Sequence, residues 1–265
     1  MHRREKNGLV YYQFEAWAAH SDLIHGVFTR LGGVSRPPFA TLNLGRGVPD
    51  EPSAIDENYR RICAILGLDR SSLVTSYQTH SDHVVVVDDA MAAQLLPATD
   101  ALVTQSPRVA LTLRFADCVP ILLFDPVQRA IGIVHAGWKG TLSRIAGKTA
   151  EAMAAAFGSR PSNLMAGIGP SIGPCCYEVG ADVRRQISAT FGRVDGLLQP
   201  RAGDRVHLDL WAANRRVLEE AGVQDIETGG LCTSCHRDEF YSHRGEAGVT
   251  GRFGAFLALK HHEPQ

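Results

Sequence analysis

A mixed α+β fold, a single layered domain over residues 1–265, is the class this sequence predicts. Seven short runs rich in β-branched residues are each bounded by turn chemistry. Three segments repeat apolar residues every three or four positions, as helices do, and two of the strand-like runs are joined by only "PVQR", as in a hairpin. No low-complexity tract or linker-like shift divides the chain.

Taken in order, "HGVFTR" (25–30) reads as a strand, and Ile55, Tyr59, Ile62 and Leu66 form the apolar stripe of a first helix. Ser53 is its expected N-cap, Asp56 the capping-box partner three residues on, and Gly67 the stop. Strands follow at "HVVVVDD" (83–89), "VALTLRF" (109–115), "VPILLFD" (119–125) and "AIGIVH" (130–135), the last two being the hairpin. A second helix is expected from about Leu142 through Ile145, Thr149 and Met153 to Phe157, with Thr141 as N-cap and Gly158 as terminator. "LMAGIG" (164–169) reads as a strand, a third helix begins at Asp209 and follows Leu210, Val217 and Leu218 to Gly222, and "FGAFLALK" (253–260) is the last strand.

Composition excludes several functions. The 27 Lys plus Arg against 28 Asp plus Glu leave a net charge of -1 and no basic stripe, which argues against nucleic acid as a partner. The charged N-terminus "MHRREKNGLVYYQFEAW" has no apolar stretch behind it, and no run of about 18 apolar residues occurs, so a cytoplasmic protein without a membrane partner is expected. Six cysteines without a secretion signal read as buried thiols or metal ligands rather than as a disulfide framework.

Chemistry concentrates at the ends of the strand-like runs. "SYQTHSDHV" places His80 before a strand, "RFADCVP" places Cys118 between two, and "IVHAGWKG" places His135 at the exit of one. Imidazole and thiolate are zinc ligands, and three of them leave a tetrahedral ion one open position, the pattern of catalytic zinc. Their wide separation matches no finger or ribbon, so from the residues alone three unrelated side chains beside apolar strands are the commoner reading. Asp117 either orients a ligand from behind or caps a turn. The glycines after His135 allow close backbone approach to a ligand, and Gly140-Thr141 is expected to open a helix whose N-terminus, with Lys139 beside it, favours an anion. Trp138 suits either stacking on a planar substrate or the core.

Other motifs are weaker. In "AGIGPSIGPCCYEVG" (166–180), prolines stand where the helix of a dinucleotide loop should begin, so the stretch reads as a rigid pocket loop with Cys175 and Cys176 structural. "CTSCH" (232–236) matches covalent haem attachment, but without an export signal it reads as a structural thiol pair. Arg244 and Arg252 suit either a bidentate phosphate clamp or surface ion pairs.

Ten blocks in order, "HGVFTRLGGVS", "LNLG", "ENYRR", "QTH", "ADCVP", "HAGWKG", "GPSIGPCCYEVG", "CT", "FYSHR" and "TGR", resemble the multicopper polyphenol oxidoreductase, or laccase-domain, family nearly end to end. The resemblance implies an α/β/β/α layered fold with mixed sheets built from duplicated β-α-β-β units. It also implies a zinc-dependent purine nucleoside phosphorylase acting on adenosine, guanosine, inosine and methylthioadenosine, with adenosine deaminase activity. Its partners are then a small-molecule nucleoside and phosphate. His80, Cys118 and His135 become both the catalytic residues and the metal ligands, for zinc or for copper, which this ligand set also accepts. Asn43 and Arg60 become nucleoside-pocket residues, joined by Lys139 and Arg244. The family usually has arginine at the position of Lys139 and two arginines after "FYS", where this chain has His243 and Arg244. A rival reading takes Cys118 as the nucleophile of a Cys–His amidase acting on cell-wall precursors, a role also attached to relatives of the family. Copper-dependent polyphenol oxidation and a zinc-stabilised interaction module are the others.

Overall fold

Two β-sheets stack face to face and helices cover their outer faces in this computed structural model, which describes residues 1–260. In chain order the strands are β1 (His2–Lys6), β2 (Leu9–Gln13), β3 (Leu23–Phe28), β4 (Leu73–Ser76), β5 (Val84–Val86), β6 (Leu95–Leu96), β7 (Ala101–Thr104) and β8 (Ala110–Phe115). They continue with β9 (Val119–Asp125), β10 (Ala130–Ala136), β11 (Met165–Ile168), β12 (Leu198–Pro200), β13 (Val206–Leu208), β14 (Asp225–Thr228) and β15 (Phe253–Leu259). The helices are α1 (Pro52–Leu66), α2 (Trp138–Leu142), α3 (Ile145–Phe157), α4 (Ala181–Phe191) and α5 (Leu210–Glu220). One sheet has seven strands in the order β1-β2-β3-β15-β8-β4-β6, the other six in the order β14-β11-β9-β10-β7-β5. Most neighbours are antiparallel, but β4 runs parallel to β8 and β6, β5 to β7, and β11 to β14, so both sheets are mixed.

The central strands read as unbroken apolar runs because both of their faces are buried. Along β9, Val119, Ile121 and Leu123 face α3 and α5, while Leu122 and Phe124 enter the layer between the sheets. Along β15, Ala255 and Leu257 point into the same middle layer, and Phe256 and Ala258 pack outward with Ile55, Tyr59 and Ile62 of α1. The result is a mixed α+β fold with the α/β/β/α layering that the family resemblance implies. No helix among the described residues is long and apolar enough to cross a membrane.

All seven expected strands are present, and β9 and β10 form the hairpin, paired from Ala130↔Asp125 to Ala136↔Val119. Two helix expectations are corrected. α1 begins at Pro52 with Glu51 as N-cap, because proline's fixed φ and missing N–H suit the first helical position; Ser53 therefore lies inside the first turn. The second helix is two helices. Arg144 adopts a left-handed conformation (φ 59, ψ 37) between α2 and α3, and its side chain is held by Glu220 of α5 and lies over the Phe191 ring of α4. Thr141 is not an N-cap but lies within α2, its hydroxyl donating to the Gly137 carbonyl at 2.9 Å. Gly67 and Gly158 terminate α1 and α3 in the left-handed region as expected, and the Asp209 carboxylate caps α5 by accepting from Ala212 N–H.

One glycine of β11 is fixed by packing. A Cβ at Gly167 would lie 2.3 Å from Cε2 of Phe14, whose fully buried ring enters the middle layer at that point. Gly167→Ala is therefore expected to destabilise the fold by about 1–3 kcal/mol, the usual cost of overpacking, read as a lower urea midpoint at unchanged m-value. An unchanged midpoint would show that this contact does not constrain the sheet-to-sheet packing.

Candidate metal centre

Three chain segments cross from the seven-stranded to the six-stranded sheet at the same end of the stack: 77–83 between β4 and β5, 97–100 between β6 and β7, and 116–118 between β8 and β9. They carry His80, Asp100 and Cys118 respectively, and the exit of β10 brings His135 alongside. The β9–β10 register pairs His135 with Pro120, so Cys118, two residues earlier, lies beside Gly137. Each crossing includes a non-glycine residue in the left-handed region: His80 (φ 60), Ala98 (φ 39) and Asp117 (φ 82).

The His80, Cys118 and His135 ligand atoms all lie within 4.8 Å of one another, and Cys118 Sγ is 3.6 Å from His80 Nε2. A tetrahedral ion with ordinary zinc–sulfur and zinc–nitrogen bonds sets that edge at about 3.6 Å, so the donors are of the right kind and separation to hold a metal. Gly137 is required here by space: a Cβ would stand 2.9 Å from Cys118 Sγ and 3.0 Å from His80 Cδ2. The glycine expected to admit substrate thus makes room for the ligands themselves.

Asp100, fully buried, organises the group. Its Oδ1 lies 2.8 Å from His135 Nδ1, and a carboxylate only accepts, so the proton is on Nδ1 and Nε2 is left to face Cys118 and His80. The same carboxylate accepts from the backbone N–H groups of Thr79 (3.1 Å), His80 (3.1 Å) and Ser81 (2.8 Å), and from the Ser81 hydroxyl (2.7 Å). Burial raises its pKa, but His135 and Ser81 outweigh burial and hold it well below the usual carboxylate range. Burial likewise pushes the Cys118 thiol up, yet His135 and His80 bring it below its ordinary value. For His135, burial favours the neutral ring, and Cys118 and Asp100 together reverse that, so its pKa lies above the ordinary imidazole value.

The triad faces a cleft of about 810 Å³ lined by Tyr77, Trp138, Lys139, Tyr177 and Arg244, among others. Arg114 and Arg252 also reach it, from β8 and from the residue before β15. Arg114, Arg244 and Arg252 donate to backbone carbonyls rather than to carboxylates, the last two at 3.1 Å (Glu178) and 2.8 Å (Gly251), so their charge stays available to an anion. Lys139 lies 5.7 Å from the Trp138 ring centroid within the first turn of α2, a helix that starts at Trp138 behind Gly137 and not at Gly140-Thr141.

Two expectations about residues are corrected, and the role left open for Asp117 is decided. Arg60 does not line the cleft; it is exposed on α1 and bonded to Glu57 at 2.6 Å, because i,i+3 spacing puts the pair on one helix face. Asn43 does not line it either. Its buried amide accepts from Gly45 N–H and Arg252 N–H and donates to Asp50, so it holds cleft residues from behind. Asp117 supports no metal ligand: its carboxylate accepts from Thr233 and Ser242 hydroxyls (2.7 Å each) and from Arg244 N–H (2.6 Å), tying the 231–244 segment to the cleft wall. Asp100, Arg114 and Tyr177 were not singled out in the sequence. A lone arginine near the end of the apolar run "VALTLRF" is the signal that could have found Arg114; Asp100 offers no comparable signal.

Asp100→Asn keeps the shape but turns N–H donors toward the N–H groups of the 79–81 segment or toward His135. The expected result is a roughly 10–100-fold loss of metal affinity, measured by competition with a chelator of known affinity. Wild-type affinity in that variant would remove Asp100 from the account of the centre.

Residues 24–260 match the sequence model described as multi-copper polyphenol oxidoreductase laccase. The chain is 43% identical over 241 residues to a purine nucleoside phosphorylase of Deinococcus radiodurans, covering 91% of each chain. It is 37% identical over 250 residues to the purine nucleoside phosphorylase YlmD of Bacillus subtilis, covering 91% of this chain and 90% of that one. Among solved structures it resembles the Bacillus licheniformis hypothetical protein YfiH, with a TM-score of 0.91 at 37% identity over 97% of this chain and 99% of that one. YlmD from Geobacillus stearothermophilus gives a TM-score of 0.91 at 32% identity over 97% and 98%. With ten motifs in order, the layered fold and this coverage, the chain belongs to the multi-copper polyphenol oxidoreductase laccase family.

Proposed function

We propose that the chain is a zinc-dependent purine nucleoside phosphorylase, with adenosine, guanosine, inosine and methylthioadenosine as substrates, and that it also deaminates adenosine. The observation that carries this reading is the cleft itself: a His–Cys–His donor set opens on cationic side chains that carry no carboxylate bond, in a fold shared with relatives named purine nucleoside phosphorylase. His80, Cys118 and His135 would hold the zinc, which supplies Lewis-acid polarisation when bound.

The chain's own residues do the rest. Phosphate near neutral pH is a monoanion or dianion and needs fixed positive charge; Arg114, Arg252 and Arg244 provide guanidinium donors in planar pairs, and Lys139 a point charge. Tyr77, Trp138 and Tyr177 offer flat apolar faces for a purine. In phosphorolysis a phosphate oxygen bonds to ribose C1′ as the C1′–N9 bond breaks, giving free base and ribose 1-phosphate. In deamination water replaces the C6 amino group and ammonia leaves. The cleft walls come from both sheets, which lets one side orient the phosphate and the other the sugar and base.

A second reading draws on the same triad: the Cys118 thiol, lowered in pKa beside two imidazoles, suits a Cys–His amidase. Alkylation separates the two. Covalent labelling of Cys118 in zinc-replete protein supports a free nucleophile, whereas protection that is lost on chelation supports a metal ligand.

Adenosine incubated with the metal-analysed protein is expected to give adenine and ribose 1-phosphate only when phosphate is present, and inosine in either case. Chelation should abolish both reactions and zinc restore them. His80→Ala, Cys118→Ala and His135→Ala should each lose both activities while remaining folded. Arg114→Ala should raise KM for phosphate about ten- to a hundredfold, the worth of a hydrogen bond to a charged group. Zinc-replete protein that turns over no nucleoside would sink the proposal.

A further inference from the structure

A second group of donors lies behind the cleft wall. Cys175, Cys176, Cys232 and Cys235 bring their four sulfurs within 4.8 Å of one another, with Cys235 Sγ 3.5 Å from Cys175 Sγ and 3.4 Å from Cys176 Sγ. All four are free thiols. A disulfide needs sulfurs at about 2.05 Å, whereas four thiolates around one tetrahedral zinc stand about 3.8 Å apart, close to the separations seen.

Backbone geometry also suits an ion. Cys232-Thr-Ser-Cys235 forms a tight turn in which the Cys232 carbonyl accepts from the N–H groups of Cys235 (3.2 Å) and His236 (3.0 Å). The opposing turn is closed by the Gly173 carbonyl, which accepts from Cys176 and Tyr177 N–H groups at 3.0 Å each. Gly173 N–H donates to the buried Cys232 Sγ at 3.2 Å, a bond that favours a thiolate there. The two segments already run together through the Ser171↔Cys232 bridge, so the four sulfurs converge by design of the loops rather than by one flexible side chain.

We propose that Cys175, Cys176, Cys232 and Cys235 form a closed all-cysteine site for a second, structural zinc ion. Four protein ligands leave no position for substrate, which separates this site in kind from the His–Cys–His centre. Its role is to clamp the 169–180 loop to the 231–244 segment. Those segments supply Ile172, Tyr177, His243 and Arg244 to the cleft, so the clamp fixes the wall on which the arginine sits. Vicinal cysteines and the C-x-x-C pair, read separately in the sequence, become two halves of one ligand set.

The test is zinc stoichiometry and coordination in three proteins: wild type, the H80A/C118A/H135A variant and the C175S/C176S variant. Two zinc ions per chain are expected in the wild type and one in each variant. X-ray absorption of the H80A/C118A/H135A protein should show sulfur ligands only, at about 2.3 Å. The C175S/C176S protein should keep mixed nitrogen and sulfur ligation and melt at a lower temperature. A zinc-free H80A/C118A/H135A protein, residual zinc bound by nitrogen or oxygen, iron in its place, or a disulfide among the four cysteines in a non-reducing peptide map would each overturn the proposal. The H80A/C118A/H135A protein decides the matter alone if C175S/C176S does not fold, and none of these outcomes depends on nucleoside turnover.

Discussion

Asp100 carries a carboxylate with no solvent contact, and the His80 loop and the His135 ring are both positioned against it. An ionised carboxylate in the interior costs several kcal/mol unless its oxygens are fully bonded. Here they are, by three backbone N–H groups, a hydroxyl and an imidazole. One group therefore sets both the conformation of the His80 loop and the orientation of the His135 ring. Its own backbone is fixed by the sheet, since Asp100 N–H donates to the His83 carbonyl and the Asp100 carbonyl accepts from His135 N–H. The centre is thus a consequence of strand pairing carried a residue or two beyond the strand ends.

Asp117 plays the corresponding part on the opposite wall. Its oxygens collect Thr233, Ser242 and Arg244, residues far away in sequence, and its carbonyl accepts from Ile172 N–H. The neighbouring cysteine faces the metal centre while the aspartate faces away from it. The dipeptide Asp117-Cys118 therefore divides its work: one side chain holds the wall and the other supplies a donor. Asp117 itself sits in the left-handed region, at the point where the chain leaves β8 for β9.

Much of this was legible in the sequence because the central strands are apolar on both faces. The β9–β10 hairpin follows from two unbroken runs with four turn residues between them, and His80, Cys118 and His135 stand out as histidine and cysteine at strand ends, although only the fold shows that their donor atoms converge. What was not legible has identifiable causes. β1 is the exposed, charged run "HRREK" at a sheet edge, paired only with β2, and carries no alternation to detect. The break at Arg144 leaves Leu142 and Ile145 at helical spacing, so periodicity runs straight through it, and only contacts with α4 and α5 reveal the turn. Asp100 looks like any loop aspartate until loops distant in sequence come together around it. Arg60 illustrates the reverse error: a motif position carried over from relatives that lies on the outer helix face.

The three crossings between the sheets place the cleft on the seam of the molecule. Arg114 and Arg252 belong to the seven-stranded side, Cys118 and His135 to the six-stranded side, and His80 to a strand of chain that bridges them. A ligand that touches guanidinium groups on one side and the metal centre on the other is therefore a clasp across two halves, not a guest in one of them. Anything that binds across the seam and not to the unfolded chain raises fold stability with its occupancy by mass action, so the two halves of the cleft are coupled through whatever spans them.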